Sequence, residues 1–565
     1  MNTELIGVIF LFLATTLFAW PLGRYIARVF SGQKVWTDFL SPLENRLLRF
    51  AGVNPEQSMD WKGNMKALVV LNLGFFLVSY LFLALQGLHP FWNPNGLGNW
   101  EPALAFNTAV SFTTNTNLQH YSGETGASHF AQLLVFCWLQ FVSAATGIAA
   151  LALLFQGLKN KSASHLGNFW ALFLKSNTRI LLPLSLVIAT FLVFRGTPVH
   201  FDGVKEITTL EGATQKVAAG PVAPMVAIKQ LGTNGGGFFG PNSTHPFENP
   251  DYLTNAAENF AILIIPIALV FAFGFYLRRK KLALVFFGVM TALFLTFNAV
   301  SITQEINGNP ELEKLGLTAQ PNMEGKEVRF GPVASAFWGV STTSTSNGSV
   351  NSMHDSHTPL SGGVFLVDMM INAVYGGVGV GFINFFVYAI IAVFIAGLMI
   401  GRTPEFMGKK IEAREVKIAT LVVILHPLLI LAGTATAALA AHGNPELASA
   451  WLKNPSFHGF SEMVYEFTSA SANNGSGFEG LGDNTPFWNI MTGLIMLLAR
   501  FIPVIGPVAI AGSLAVKKTI PESGGTLKLE SASYSAILLG VILIVAALSF
   551  FPLLALGPIA EFLSF

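Results

Sequence analysis

Hydrophobic residues gather in ten runs, at 5–22, 67–88, 129–158, 180–194, 256–277, 282–302, 363–400, 418–441, 486–514 and 533–551. A bilayer crossing needs about 20 apolar residues, so each run predicts a spanning helix. They sort into one run, four pairs and one more. Glu4 precedes the first run and Arg24 and Arg28 follow it, which reads as a retained span with its N-terminus outside rather than a secretory signal.

Polar stretches interrupt each pair in the same way. Residues 113–124 read TTNTNLQHYSGE, and relatives of that stretch return at 230–243 (QLGTNGGGFFGPNS), 341–352 (STTSTSNGSVNS) and 468–482 (TSASANNGSGFEGLG). Aligned on Asn115, Asn234, Asn347 and Asn474, they are spaced by 119, 113 and 127 residues, which marks a four-fold internal repeat. Pro102, Pro221, Pro332 and Pro455 each precede about three turns of helix-compatible sequence, matching proline's preference for a first helical turn. Each repeat therefore predicts a spanning helix, a half-length re-entrant helix, an extended polar loop and a second spanning helix. The expected fold is an all-α membrane protein of ten transmembrane helices with four pseudo-fourfold repeats and one extra span at each end. Its parts are 1–62 (first span and linker), 63–158, 159–281, 282–401 and 402–516 (repeats 1 to 4) and 517–565 (last span).

Composition agrees: 11% of the 565 residues are charged and 52% hydrophobic, where soluble domains carry about 25% charged residues. A net charge of +1 gives no sign of nucleic-acid binding. The single cysteine, Cys137, excludes an intrachain disulfide framework and a cysteine metal site; it reads as core or lipid-facing filler. The connections 24–66, 159–179, 278–281, 402–417 and 517–528 hold 23 lysines and arginines, against seven on the opposite side. Basic loops stay in the cytoplasm, so the four polar loops and both termini are expected outside. Lys229 and Arg500 fall at membrane depth.

Irregular backbone at membrane depth survives only where protein shields it or it lines a water-filled path. Four such loops are expected around one axis, where inward carbonyls can replace the hydration shell of a cation. Gly235, Gly236, Gly348, Gly475 and Gly477 can turn carbonyls inward without a side-chain clash. The half-helices point their negative ends at the bilayer centre, which suits a monovalent cation, and no ring of Asp or Glu in the loops suggests a divalent one. The competing reading, ordinary polar loops closing helix pairs, does not explain four recurrences at one place.

This arrangement resembles the superfamily of potassium transporters with four channel-like repeats in one chain. Within it, 113–119 (TTNTNLQ), 232–243 (GTNGGGFFGPNS) and 473–480 (NNGSGFEG) are similar to the loops of the KdpA family, the potassium-binding subunits of bacterial Kdp complexes. The resemblance implies a potassium filter at Asn115, Thr116, Asn117, Thr233, Asn234, Gly235, Ser346, Asn347, Gly348, Asn473, Asn474 and Gly475, with Gln119 at the mouth. The first loop has no glycine in its core, so side-chain oxygens of Asn115 or Thr116 are expected to supplement its backbone. The resemblance further implies an inner-membrane subunit that takes potassium from outside and passes it sideways to KdpB, a P-type ATPase, with KdpC and often KdpF completing the complex. No covalent cofactor is implied; potassium is the cargo. The chain has neither GxxxxGK[ST] nor DKTG, as expected if a partner hydrolyses the ATP. The alternatives are a stand-alone Trk/Ktr-like potassium transporter or channel driven by membrane potential, and an intramembrane enzyme, for which no span carries HExxH or a serine-nucleophile motif.

Two features are expected below the filter. Arg500 is about 14 residues into its span, about 21 Å down at 1.5 Å per residue, and reads either as a positive barrier or as an arginine tied to backbone carbonyls. Gly376, Gly377, Gly379 and Gly381 each cost about 1 kcal/mol in a helix relative to alanine. They predict a broken helix, read either as a mobile loop under the filter or as close packing through small residues. Three weaker signals remain. HDSH at 354–357 lacks further ligands nearby in sequence, which sets metal binding aside. Lys229 could complement its helix's negative end or face solvent. The basic clusters 278–281 and 409–414 follow from topology, with contact to anionic lipid left open.

Overall fold

Lipid cannot hydrogen-bond a backbone, so apolar runs of this length resolve into helices. The computed structural model describes residues 3–309, 312, 314–317, 320–401, 403–519 and 527–564. Among the described residues ten helices are long and apolar enough to cross a membrane. In chain order the main helices are α1 (Thr3–Phe30), α2 (Trp61–Ala84), α3 (Pro102–Thr113), α4 (Ala131–Lys159) and α5 (Phe169–Phe194). They continue as α6 (Val222–Leu231), α7 (Tyr252–Leu277), α8 (Lys280–Asn307), α9 (Gly331–Ser344), α10 (Pro359–Ile371) and α11 (Val380–Ile400). The last four are α12 (Ala413–Gly443), α13 (Phe457–Ala472), α14 (Pro486–Val516) and α15 (Ala532–Leu563).

The half-length helices α3, α6, α9 and α13 begin where the four prolines predict. Pro102 opens α3 behind Glu101, whose carboxylate accepts from the Leu104 amide at 2.9 Å and satisfies a donor that the first turn leaves open. Helices differ in what surrounds them: the most apolar windows of α4 and α7 are 78% and 83% buried, against 17% for α1. The second spans of the first two repeats are thus central, and α1 is peripheral. It lies along α7, with Gly23 so close that a Cβ there would stand 2.5 Å from the Ala268 carbonyl, while Phe10, Leu13 and Leu17 point outward. The other additional span, α15, packs on α8, α10 and α11.

Several expectations change. The fourth span begins at Phe169 rather than 180, so Lys175 and Arg179 lie in a helix instead of a loop. Charge hid this in the sequence; the fold neutralises it, since Arg179 is bonded to Glu44 at 2.5 Å and Asp38 at 2.7 Å. Those carboxylates belong to a short amphipathic segment ending in the helix Ser41–Phe50 that the sequence reading passed over. It also missed an antiparallel hairpin, β1 (Lys205–Thr208) with β2 (Thr214–Val217), ahead of α6. The long run 363–400, by contrast, is interrupted as its glycines predict: α10 stops at Ile371 and α11 starts at Val380. Arg402 and residues 520–526, part of two basic connections, lie outside the described residues.

Candidate functional site

All four half-helices end in one backbone pattern. Asn115, Thr233, Ser346 and Asn473 have φ of 64, 45, 49 and 51°, and two residues later Asn117, Gly235, Gly348 and Gly475 have φ of 56, 86, 88 and 102°. Left-handed backbone disfavours side chains with a Cβ, and outside glycine it is visited mainly by Asn and Asp. The pattern corrects the sequence alignment by one residue in the first loop. Thr116, not Asn115, is equivalent to Asn234, Asn347 and Asn474, and Asn117 occupies the glycine position. Identity of the Asn residues had masked the shift.

These turns aim the peptides. The amides of Thr116 and Asn117 both donate to Ser111 O, at 2.9 and 3.2 Å, and those of Asn234 and Gly235 to Lys229 O, at 2.8 and 3.3 Å. The Asn347 amide bonds Thr342 O and the Gly348 amide Thr342 Oγ1; the Asn474 amide bonds Ser469 O and the Gly475 amide Ser469 Oγ. Because a trans peptide sets C=O opposite N–H, the carbonyls of Asn115 and Thr116 and of their counterparts are directed away from the half-helices. Among the described residues no hydrogen bond is made to the carbonyl oxygens of Thr116, Asn234, Asn347 or Asn474.

The loops touch in cyclic order. A Cβ on Gly235 would stand 2.0 Å from Asn347 O, one on Gly348 2.1 Å from Asn474 O, and one on Gly475 2.0 Å from Thr116 O. Each glycine is therefore pressed against the carbonyl ring of the next loop, where a side chain has no room. Amide side chains brace the same joints: Asn347 Nδ2 reaches Lys229 O at 3.1 Å, Asn474 Nδ2 reaches Thr342 O at 2.9 Å, and Asn473 Nδ2 reaches Thr116 Oγ1 at 2.9 Å. The first and second loops close the cycle through Asn115, which donates to Gly232 O and Thr233 O and accepts from Asn234 Nδ2 at 2.5 Å. Above that joint Gln119 is clamped on Gly237, accepting from its amide at 2.9 Å and donating to its carbonyl at 3.0 Å.

The missing glycine of the first loop is compensated across this joint. Gly236 lies where a Cβ would be 2.8 Å from the Asn117 Cβ, so an added glycine in the second loop makes room for the asparagine in the first. The side chains of Asn115 and Thr116, expected to supplement the backbone, are instead engaged in the braces described above. Thr116 Oγ1 also pairs with Thr114 Oγ1 at 2.8 Å.

Below the ring, the break between α10 and α11 brings the predicted glycines into contact with the loops. Gly376 N donates to Ser344 O at 2.7 Å and Val378 N to Thr233 Oγ1 at 2.9 Å. A Cβ on Gly377 would have Ser346 Cβ nearest, at 3.6 Å, so this glycine has open space, whereas one on Gly379 would be 2.2 Å from Gly147 O. Gly381 begins α11 and packs on Gly376. Thus the helix is broken where the glycines predict, with Gly376, Gly379 and Gly381 in close packing contacts and Gly377 alone among these four left with room. Arg500 is buried beside this loop. Its Nη2 donates to Ser143 O at 3.3 Å and would lie 3.3 Å from a Cβ on Gly147, which also faces Val378 O. Among the described residues no carboxylate pairs with it.

The sequence reading missed the polar shell behind the loops. Lys229 does not face solvent: it is fully buried, ion-paired with Glu248 and bonded to Asn242 Oδ1 and Ser243 Oγ, both at 2.7 Å. Glu258 accepts from Gln230 and Ser243, Asp368 from Thr343 and Ser344, and Glu466 pairs with His120 at 2.9 Å. A cation at membrane depth signals that a counter-charge exists, though not which one. The HDSH histidines are also buried, His354 against Tyr465 OH at 2.9 Å and His357 between Ser352 and Glu305.

Comparison with known proteins agrees with this architecture. The profile of one family, "KdpA: Potassium-transporting ATPase A subunit", matches residues 9–563. A protein of Flavobacterium psychrophilum named potassium-transporting ATPase potassium-binding subunit is 55% identical, over 100% of this chain and 99% of its own length. A protein of the same name from Geobacillus kaustophilus is 48% identical over 98% of both chains. Among solved structures, the potassium transporter TrkH from Vibrio parahaemolyticus superposes with a TM-score of 0.52 at 16% identity, covering 89% of this chain and 97% of TrkH. That likeness concerns the fold alone. With the family profile spanning almost the whole sequence and relatives at about half identity throughout, this chain belongs to the KdpA family of potassium-transporting ATPase A subunits.

Proposed function

We propose that the four loops are a potassium filter and that the chain is the ion-binding subunit of an ATP-driven uptake complex. The observation that carries this reading is the cyclic contact of four left-handed turns, with their amides tied back and, among the described residues, the carbonyls of Thr116, Asn234, Asn347 and Asn474 left without donors. Such a ring can exchange peptide oxygens for the water shell of a monovalent cation. The names of the relatives at about half identity support potassium as that cation.

In this reading a hydrated ion meets the mouth at Gln119. It loses water as it enters the ring formed by Asn115, Thr116 and Asn117, Thr233, Asn234 and Gly235, Ser346, Asn347 and Gly348, and Asn473, Asn474 and Gly475. Below, the loop holding Gly376, Gly377 and Gly379 lies across the direct path, and the Arg500 guanidinium repels a cation trying to pass it. The ion leaves sideways. A cavity at the helix break, lined by Asn372, Asn384, His426 and Ser471, supports that direction. The receiving partner is a P-type ATPase subunit, KdpB, which hydrolyses the ATP, with KdpC and KdpF in the same complex of the bacterial inner membrane. The polar loops and both termini face outward, following the positive-inside bias of 23 to seven.

The decisive experiment is purification of the chain from its native membrane, followed by potassium-stimulated ATP hydrolysis. Recovery with a P-type ATPase and stimulation by potassium are expected. A chain purified alone that conducts potassium down a voltage gradient would replace this reading with that of a Trk/Ktr-like transporter.

A further inference from the structure

The sequence HDSH draws attention to its histidines, but it is the residue between them, Asp355, that joins a cluster of potential ligands. Asp355 Oδ1 is 2.9 Å from His458 Nε2, in the first turn of α13. Glu462 follows His458 by four residues, which puts the two on one helical face. One ligand atom from each of Asp355, His458 and Glu462 lies within 4.8 Å of the others.

Three details distinguish this cluster from an ordinary surface ion pair. First, Glu462 is completely buried, and its Oε2 has no hydrogen-bond partner. Buried carboxylate oxygens without a partner are costly, which makes the group a ready ligand. Second, Glu462 Oε1 and Asp355 Oδ2 share a single donor, Asn454 Nδ2, at 3.0 and 3.2 Å. Two carboxylates drawn to one amide hold negative charge that this donor does not neutralise. Gly480 backs both, since a Cβ there would stand 2.2 Å from Glu462 Oε1 and 2.9 Å from Asp355 Oδ2. Third, the other ring nitrogen, His458 Nδ1, is held by Glu561 Oε1 at 2.8 Å. A carboxylate on the far nitrogen of a histidine is the usual way to orient an imidazole toward a metal. Asp355 and His458 keep some solvent exposure, 14% and 19% of their side chains, which leaves an entrance to the cluster.

We propose that Asp355, His458 and Glu462 bind a divalent transition-metal ion, with Glu561 orienting the histidine. One imidazole nitrogen with carboxylate oxygens matches zinc(II) or manganese(II) better than the all-oxygen sites of calcium or magnesium. Binding releases the Nε2 proton, which His458 donates to Asp355 in the empty site, to water; the ion takes the freed Nε2 lone pair and the Asp355 carboxylate while Nδ1–H donates to Glu561. Bound there, it ties three separate parts of the chain: the segment after the third loop, the start of the fourth half-helix and the C-terminal segment.

The test is metal content of the full complex, stripped with chelator, exposed to zinc chloride and desalted. Wild type is expected to retain about one zinc per chain, His354→Gln the same, and His458→Gln and Glu462→Gln none. Glu561→Gln should bind about 10–100-fold more weakly, the usual effect of losing an outer-shell partner. Equal zinc in every variant, or none above background in wild type, overturns the proposal. X-ray absorption at the zinc edge of wild type keeps the test decisive should a variant misfold. One imidazole nitrogen with oxygens supports the site, and sulfur or several imidazoles refute it.

Discussion

Gly348 shows how little freedom the loops have. Its φ of 88° is open to few residues, and a methyl group would stand 2.1 Å from Asn474 O. Gly348→Ala must shift one of two neighbouring loops, so the apparent potassium affinity should fall by about tenfold or more; strain of about 1–3 kcal/mol gives that order of change. Potassium titration of ATP hydrolysis by the purified complex measures it. Lys229 presents a different constraint. Replacing it with Met leaves Glu248 buried without its counter-charge, a change that typically destabilises by about 3–5 kcal/mol. The paired replacement Lys229→Met with Glu248→Gln should recover part of the loss. Denaturant or thermal unfolding of the detergent-solubilised protein distinguishes the two, and equal stability of wild type and Lys229→Met would contradict the account.

The broken helix is the element on which coupling depends in the proposed cycle. Its loop touches the second and third polar loops through Val378 N and Gly376 N and meets Gly147 at its far end, next to Arg500. Gly379→Ala places a methyl 2.2 Å from Gly147 O at a positive φ, whereas Gly377→Ala has at least 3.6 Å of clearance. The first should lower the unfolding temperature and the second should leave it within error. Arg500→Gln removes the positive charge without removing the hydrogen-bond donor. Rubidium uptake per ATP should fall as ions leak through the direct path, and unchanged coupling with unchanged affinity would return Arg500 to a structural role.

At the level of the molecule, orientation is the most accessible prediction. With Cys137→Ser as background, Leu210→Cys at the tip of the β1–β2 hairpin should react with a membrane-impermeant maleimide on intact spheroplasts. Lys161→Cys, between α4 and α5, should react only after permeabilisation. Both positions are exposed, so reactivity reports sidedness rather than burial. The reverse pattern would invert the whole reading, since the ring would then face the cytoplasm. The central placement of α4 and α7 and the outer position of α1 fit a shielded axis, because irregular backbone at this depth has to be enclosed by protein.

The number of spans, the half-helices and the four-fold repeat were legible from the sequence, because the cost of an unpaired amide in lipid forces apolar runs into helices and leaves polar turns conspicuous. Glycine and asparagine at the loop centres were legible for a related reason, being among the few residues that accept a left-handed turn. The register of the first loop was not. Asn117 does a glycine's work there and Gly236 yields the space, a trade between two loops that neither reveals alone. Nor could the sequence pair Lys229 with Glu248, Arg179 with Glu44, or Asp355 with His458 and Glu462. Each pairing joins residues whose distance in space is set by how helices pack, and a local pattern announces a charge without naming the group that balances it.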